Sequence, residues 1–232
     1  VVSCGALIFG ASGGLAGAIA EEFLARGWTI DLVTREARRS AIDEHLLDCI
    51  SAGRVGLYTV AEDYTEFVAQ RRYQVYIFAQ ALFEPRLLIE TAEGAVEREI
   101  KVGLMDPMVL TRSLLLGQEG ASTERIDFAF IGSTSAYSGF KRTAVYCAVK
   151  HGLLGFIRAM NDEYSDSQTR FWLFSMGTMN TTMGAKLSEQ DSTSFLQPRE
   201  VAGRIVECLA SPTNLFEPEV VLRRRNIRFK AC

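Results

Sequence analysis

Apolar residues along this chain fall into short, nearly unbroken runs, separated by stretches in which they recur at helical spacing. The runs cover residues 6–10, 29–34, 54–60, 74–81, 125–132, 170–176 and 219–222, each the length of a buried strand. Between them, residues 15–26 carry a helical pattern that Gly27 stops, and longer helical patterns cover 93–116 and 144–163. Strands alternating with helices predict an α/β fold, a doubly wound parallel sheet of about seven strands with helices on both faces. Residues 177–197 are polar and weakly periodic, and they connect a strand to the last helix. That is long for a connection in a compact domain, so a lid over a substrate site is expected there.

A chain of 232 residues, 48% hydrophobic and 23% charged, can bury one large core, and a single domain over residues 1–232 is expected. A net charge of −3 gives no broad basic field for a nucleic-acid backbone. Arg223, Arg224 and Arg225 form a local basic patch that reads as a solvated tail. The five cysteines are scattered without a C-x-x-C pair, which suits neither zinc nor a disulfide framework and points to a reducing compartment. The apolar runs are too short to span a membrane and no secretory leader is visible, so a cytoplasmic location is expected. His45 and His151 are unrelated in pattern, so no metal site is expected, and Asp127 and Glu163 lack a carboxylate partner at catalytic spacing.

The stretch LIFGASGGLAG sets an apolar run against a cluster of glycines. The strand is expected to end at Phe9, the turn to hold Gly10, Ala11, Ser12 and Gly13, and the helix to begin at Gly14 and Leu15. The first turn of such a helix has unpaired N–H groups and a partial positive charge, so a diphosphate docks there when no side chain blocks it. After the first strand of a βαβ series, this reads as a dinucleotide site. The second strand ends in Val33, Thr34 and Arg35. A basic residue there suits the 2′-phosphate of NADP, with Arg38 or Arg39 as helpers, whereas Asp31 lies too early in the strand for a ribose contact. NADP(H) is the expected cofactor, with NAD(H) open.

Tyr146 and Lys150 are four positions apart, so on one helix their side chains share a face. A neighbouring ammonium favours phenolate and is expected to lower the tyrosine pKa toward the range of an acid/base catalyst. Ser133 ends the strand before that helix, and its hydroxyl is placed to hold a carbonyl oxygen that Tyr146 protonates.

On these residues the chain resembles the short-chain dehydrogenase/reductase family, with its Rossmann-like fold. The family pattern T-G-x-x-x-G-x-G falls on residues 9–16, with Gly10 and Gly14 on its first two glycines and Ala16 on the third. Its Ser and Tyr-x-x-x-Lys set falls on Ser133, Tyr146 and Lys150, and its P-G-x-x-x-T motif on Met176, Gly177 and Thr181. The resemblance implies that Lys150 holds the nicotinamide ribose, that Ser133 polarises a carbonyl, that Tyr146 gives the proton, and that Thr181 contacts the carboxamide. It also implies a homodimer or homotetramer formed through the helix carrying Tyr146 and the one before it. Leu153, Leu154, Phe156 and Ile157 are apolar enough for that role, and a core face explains them equally well.

Beyond Ala16, the chain departs from the family in three further places. Phe78, Ala79, Gln80 and Ala81 stand where the family has Asn-Asn-Ala-Gly, so Ala79, Gln80 and Ala81 form an unusual cofactor wall. The family's catalytic asparagine falls on Gly103, which removes the side-chain member of the proton relay, and Pro107 predicts a kink nearby. Met176 stands for the usual proline. The reading that follows is an NADPH-dependent carbonyl reductase or alcohol dehydrogenase acting on a small-molecule ketone or secondary alcohol. A sugar-like or carrier-bound ketone stays open, and the alternative is a weakened NADP(H)-binding protein serving as a sensor or assembly partner. The expected substrate pocket holds Phe83, Glu84, Ser135, Tyr137, Phe140, Met176 and Met179, with Glu84 and Arg142 near its mouth.

Overall fold

The computed structural model describes residues 5–35, 38, 42, 44–60, 72–118, 125–187, 189–211 and 216–224. Seven strands, β1 (Gly5–Phe9), β2 (Thr29–Arg35), β3 (Val55–Val60), β4 (Val75–Phe78), β5 (Ile126–Ile131), β6 (Thr169–Met176) and β7 (Glu219–Leu222), form one sheet in the order β3-β2-β1-β4-β5-β6-β7. Every neighbouring pair is parallel. Helices α1 (Gly14–Ala25), α2 (Glu44–Ser51), α3 (Glu93–Ile100), α4 (Asp106–Gln118), α5 (Ala144–Glu163) and α6 (Pro198–Ala210) supply the two outer layers.

The period of two along each strand divides the core. Ala6 and Ile8 of β1 point to one face, where they pack with Ile19 and Phe23 of α1 and with Ala202 and Ile205 of α6. Leu7 and Phe9 point to the other, among Leu110 and Leu114 of α4 and Leu153 and Ile157 of α5. On that second face the rings stack from strand to strand, Phe9 on Phe78 at 5.1 Å and Phe78 on Phe130 at 4.6 Å between centroids. A second row runs from Tyr76 to Phe128 to Phe171, at 5.1 Å for each pair. Large flat side chains on both faces make the sheet rigid enough to hold a site at its edge.

Asp127 ties the opposite end of the sheet together. Its buried carboxylate accepts from Arg125 Nε at 2.7 Å, Arg170 Nε at 2.8 Å and Trp172 Nε1 at 2.7 Å. Arg125 also donates to the carbonyls of Leu209 and Ser211, both at 2.8 Å, satisfying the C-terminal end of α6.

The helix expected over 93–116 is interrupted. A π-helical turn, Lys101–Met105, joins α3 to α4. Pro107 has no N–H to give the Gly103 carbonyl, so the regular i to i−4 ladder fails at that point. The strand expected over 74–81 ends at Phe78, and residues 79–81 leave the sheet as irregular chain. Leu153, Leu154 and Ile157 of α5 are buried in the core, and Phe156 packs edge-on against Phe130. Exposed apolar side chains lie instead on α4 and the π turn, at Met105, Met108, Val109 and Leu116.

Candidate active site

The strand order reverses direction between β1 and β4, and a cleft opens beyond their carboxyl ends, as parallel sheets of this winding require. It has a volume of about 1260 Å³. Gly10, Ser12, Gly13, Gly14, Leu15, Thr34, Arg35, Ala79, Gln80, Ala81, Ser133, Tyr146, Lys150, Gly177 and Thr181 all line it.

Gly10 shows why the turn after β1 excludes side chains. Its φ is +85°, and an added Cβ would sit 2.6 Å from the backbone nitrogen of Gln80. Gly13 caps α1 without a side-chain hydrogen bond, and Gly14, Leu15 and Ala16 of the first helical turn line the cleft. Both amide atoms of the Gln80 side chain are buried without a hydrogen-bond partner. An orphaned donor and acceptor beside an uncapped helix start suit a polar ligand with phosphate groups. At the end of β2, Arg35 and Arg38 line the same cleft, while Arg39 lies outside the described residues. The residues present therefore fit a dinucleotide.

Ser133, Tyr146 and Lys150 meet on the other side of the cleft. Ser133 caps a 3-10 turn, Thr134–Ala136, and accepts from Ser135 N at 3.1 Å, which fixes its hydroxyl. That hydroxyl lies near the Tyr146 phenol and favours its charged form. Tyr146 and Lys150 occupy the first two turns of α5, and the Tyr146 ring rests edge-on against Phe83 at 4.8 Å. Lys150 is 2% exposed; its ammonium donates to the Ile131 carbonyl at 2.8 Å and lies 5.5 Å from the centre of the Tyr146 ring.

The tyrosine titrates opposite to the expectation. Burial pushes its pKa up to about 12, against a smaller downward pull from Ser133. Burial also lowers the Lys150 pKa to about 8, with Glu99 opposing. The ammonium is directed at a backbone carbonyl, and the phenol therefore keeps its proton at neutral pH.

Glu99 escaped the sequence reading. It sits on α3 among charged neighbours, yet it is 6% exposed and lines the cleft. Lys186 also escaped it. From the 177–197 segment it donates to the Phe83 carbonyl at 2.9 Å and pairs with Glu84, pinning the segment across the cleft. The base of that segment is closed by a bridge between Met179 and Leu196, with Asn180 N to Leu196 O at 2.9 Å. Of the expected pocket residues, Phe83, Glu84, Ser135, Phe140, Arg142, Met176 and Met179 line the cleft. Tyr137 does not: its hydroxyl turns away and donates to Glu219 at 2.9 Å. Arg223 and Arg224 are not a solvated tail, since both line the cleft and Arg224 donates to Ser194 Oγ at 3.1 Å; Arg225 lies outside the described residues.

Among the described residues no group of three or more His, Cys, Asp or Glu is placed to hold a metal ion. His151 Nδ1 lies 2.8 Å from the Cys147 carbonyl, and the His45 side chain lies outside the described residues. No helix among the described residues is long and apolar enough to cross a membrane.

Comparison with known proteins agrees with this geometry. Residues 5–192 match the short chain dehydrogenase family. The bovine (Bos taurus) 3-oxoacyl-[acyl-carrier-protein] reductase is 26% identical over 190 residues, covering 79% of this chain and 78% of that protein. Sepiapterin reductase from Chlorobaculum tepidum is 22% identical over 94% of each chain. An alcohol dehydrogenase from the archaeon Thermococcus sibiricus, solved with 5-hydroxy-NADP, superposes with a TM-score of 0.79 at 20% identity, over 97% of both chains. A 4-hydroxyisoleucine dehydrogenase mutant solved with NADH and succinate gives 0.81 at 18% identity, covering 95% of this chain and 97% of that one. With the fold, the motifs and the matched span in agreement, the chain belongs to the short-chain dehydrogenase/reductase family of NAD(P)-dependent oxidoreductases.

Proposed function

We propose that this protein is an NADPH-dependent carbonyl reductase in which Tyr146 is the proton donor. The observation that carries the reading is the convergence of Ser133, Tyr146 and the buried Lys150 on one cleft, with the Lys150 ammonium 5.5 Å from the centre of the Tyr146 ring. A nicotinamide cofactor, when bound, supplies the hydride. Gly10, Ser12, Gly13, Gly14 and Leu15 would hold its diphosphate; Thr34 and Arg35, with Arg38, its adenosine phosphate; and Ala79, Gln80 and Ala81 the wall between. Lys150 gives one hydrogen bond to Ile131, and an ammonium has two more to offer a ribose, while Gly177 and Thr181 face the nicotinamide end. Ser133 hydrogen-bonds the substrate carbonyl oxygen, and Tyr146 delivers its proton there as negative charge develops. A phenol held near pKa 12 stays protonated at neutral pH and is still acidic enough to give its proton to a developing alkoxide.

The substrate end is mixed, with Phe83, Phe140, Met176 and Met179 beside Glu84 and Arg142, and suits a ketone with polar substituents. The 3-oxoacyl-carrier and pterin reductases among the relatives make a carrier-bound or heterocyclic ketone the first substrates to try. We assign residues 177–197 as the lid, latched by Lys186 to Phe83 and Glu84. Self-association would use the exposed apolar side chains of α4, Met108, Val109 and Leu116.

Parallel fluorescence titrations with NADPH and NADH test the cofactor assignment. The wild type is expected to bind NADPH at least tenfold more tightly, and Arg35→Ala to remove most of that preference, a factor of ten being about 1.4 kcal/mol. Equal losses for both cofactors would remove Arg35 from the phosphate site. Binding of neither would favour the alternative of a scaffold that has left catalysis.

A further inference from the structure

Among the described residues lining the cleft, Glu99 is the buried acidic side chain, and the reductase reading has no use for it. Its Oε1 is buried with no hydrogen-bond partner, and a carboxyl in that situation is costly to keep unless something at the site draws on it. The groups facing it come from three elements. Tyr146 and Lys150 approach from α5, Lys186 from the lid segment and Glu84 from the chain after β4, with Arg86 and Arg142 around the same recess. Glu99 and Lys150 act on each other in both directions, since each favours the charged form of its partner.

One helical turn beyond Glu99 the backbone passes through the π turn at Gly103. The two positions are four apart and share a face. Gly103 can present nothing to the cleft, because a Cβ there would lie 2.6 Å from Val149 Cγ1 on α5. The α3–α4 helix therefore reaches the catalytic trio through Glu99. π turns of this kind recur where a helix must aim a group at a functional site.

We propose that Glu99 is a positioning residue and proton reservoir acting through Lys150, in the place that Gly103 leaves without a side chain. This rests on the reductase reading above. In each cycle Tyr146 gives its phenolic proton to the alkoxide oxygen and becomes phenolate. The phenolate recovers a proton from the Lys150 ammonium; Glu99, which forms no ion pair with that ammonium, returns one to the Lys150 amine through water in the cleft and becomes carboxylate; and water at the cleft mouth reprotonates Glu99. One proton enters from solvent for each that leaves on the alcohol. Burial holds the Glu99 pKa at about 7, within reach of both solvent and a lysine near 8, so neither exchange is steeply uphill.

The test is a pair of measurements on the full chain. In cofactor-free protein with isotope-labelled lysine, the Lys150 resonance, assigned by its loss in Lys150→Arg, is titrated by NMR in wild type and Glu99→Gln. The acid dissociation constant of Lys150 is expected to rise at least threefold in Glu99→Gln, and likewise in Glu99→Leu, which fills similar space without a polar group. In NADPH-driven ketone reduction, Glu99→Gln is expected to lose at least tenfold in kcat and the pH dependence near neutrality, with KM and NADPH affinity within twofold; Glu99→Asp recovers part of both. Unchanged Lys150 titration together with an unchanged pH profile overturns the proposal and leaves the reductase reading standing. Absence of any NADPH-dependent turnover in wild type defeats that reading instead, and the lysine titration alone then decides whether Glu99 is coupled to Lys150.

Discussion

Gly103 and Val149 are in contact so close that a single methyl group would not fit between them: the missing Cβ would lie 2.6 Å from Val149 Cγ1. Placing asparagine at this position is therefore a packing error in this chain. Gly103→Asn is expected to destabilise the protein by about 1–3 kcal/mol, the usual cost of overfilling a packed interface. Val149→Ala in the same chain should recover much of that loss. Urea unfolding of the two single variants and the double variant measures the coupling; additive effects would mean that the helices do not meet there.

Asp127 is expected to be the costliest charged side chain to remove. It is 3% exposed as a side chain and compensates both Arg125 and Arg170, neither of which has another carboxylate among the described contacts. Asp127→Ala should cost about 3–5 kcal/mol, because it leaves two guanidinium groups without their anion and Trp172 Nε1 without an acceptor. A loss below about 1 kcal/mol in denaturant unfolding would place it with ordinary surface pairs.

The buried pair in the cleft sets a pH signature on stability. The folded pKa of Glu99 is raised from 4.5 to about 7, so as pH rises across that window the unfolded state gives up its proton first. The folded state then holds more protons, and stability must fall with pH, its contribution complete below 4.5 and lost by about 7. Lys150, lowered from 10.5 to about 8, works in the other direction, and stability rises as pH climbs between those values. Unfolding free energies measured at intervals from pH 5 to pH 10 are expected to dip between pH 7 and pH 8. Glu99→Gln should flatten the acid side of the dip; a slope identical to wild type would exclude Glu99 as its source.

The fold was legible because a parallel sheet covered on both faces leaves unbroken apolar runs, and all seven expected strands form, with ends displaced by a few residues at most. The residues expected around the cleft were legible for a related reason. Gly10, Ser133, Tyr146 and Lys150 stand at strand ends and helix starts, where the winding of the sheet brings chain segments together. Tyr137 was misplaced because the 3-10 turn after Ser133 rotates it toward Glu219, and nothing in the local pattern marks that turn. Glu99 was missed because EGAVEREIK reads as a solvated helical face. The available signal was its position one turn before Gly103, on the face shared with the buried Val102 and Gly103. The tyrosine pKa was misjudged because spacing gives proximity and not direction: the Lys150 ammonium is taken up by the Ile131 carbonyl, and burial of the phenol decides the sign.

Tyr146→Phe tests the central claim most directly, since it removes one oxygen and leaves the ring against Phe83. NADPH oxidation would be followed with a panel of ketones in wild type and variant, with NADPH affinity measured alongside. The account predicts a loss of about 10²–10⁴-fold in kcat with cofactor affinity unchanged, the span associated with removing a general acid. Turnover that survives the substitution undiminished would contradict it, and the proton donor would have to be sought elsewhere in the cleft.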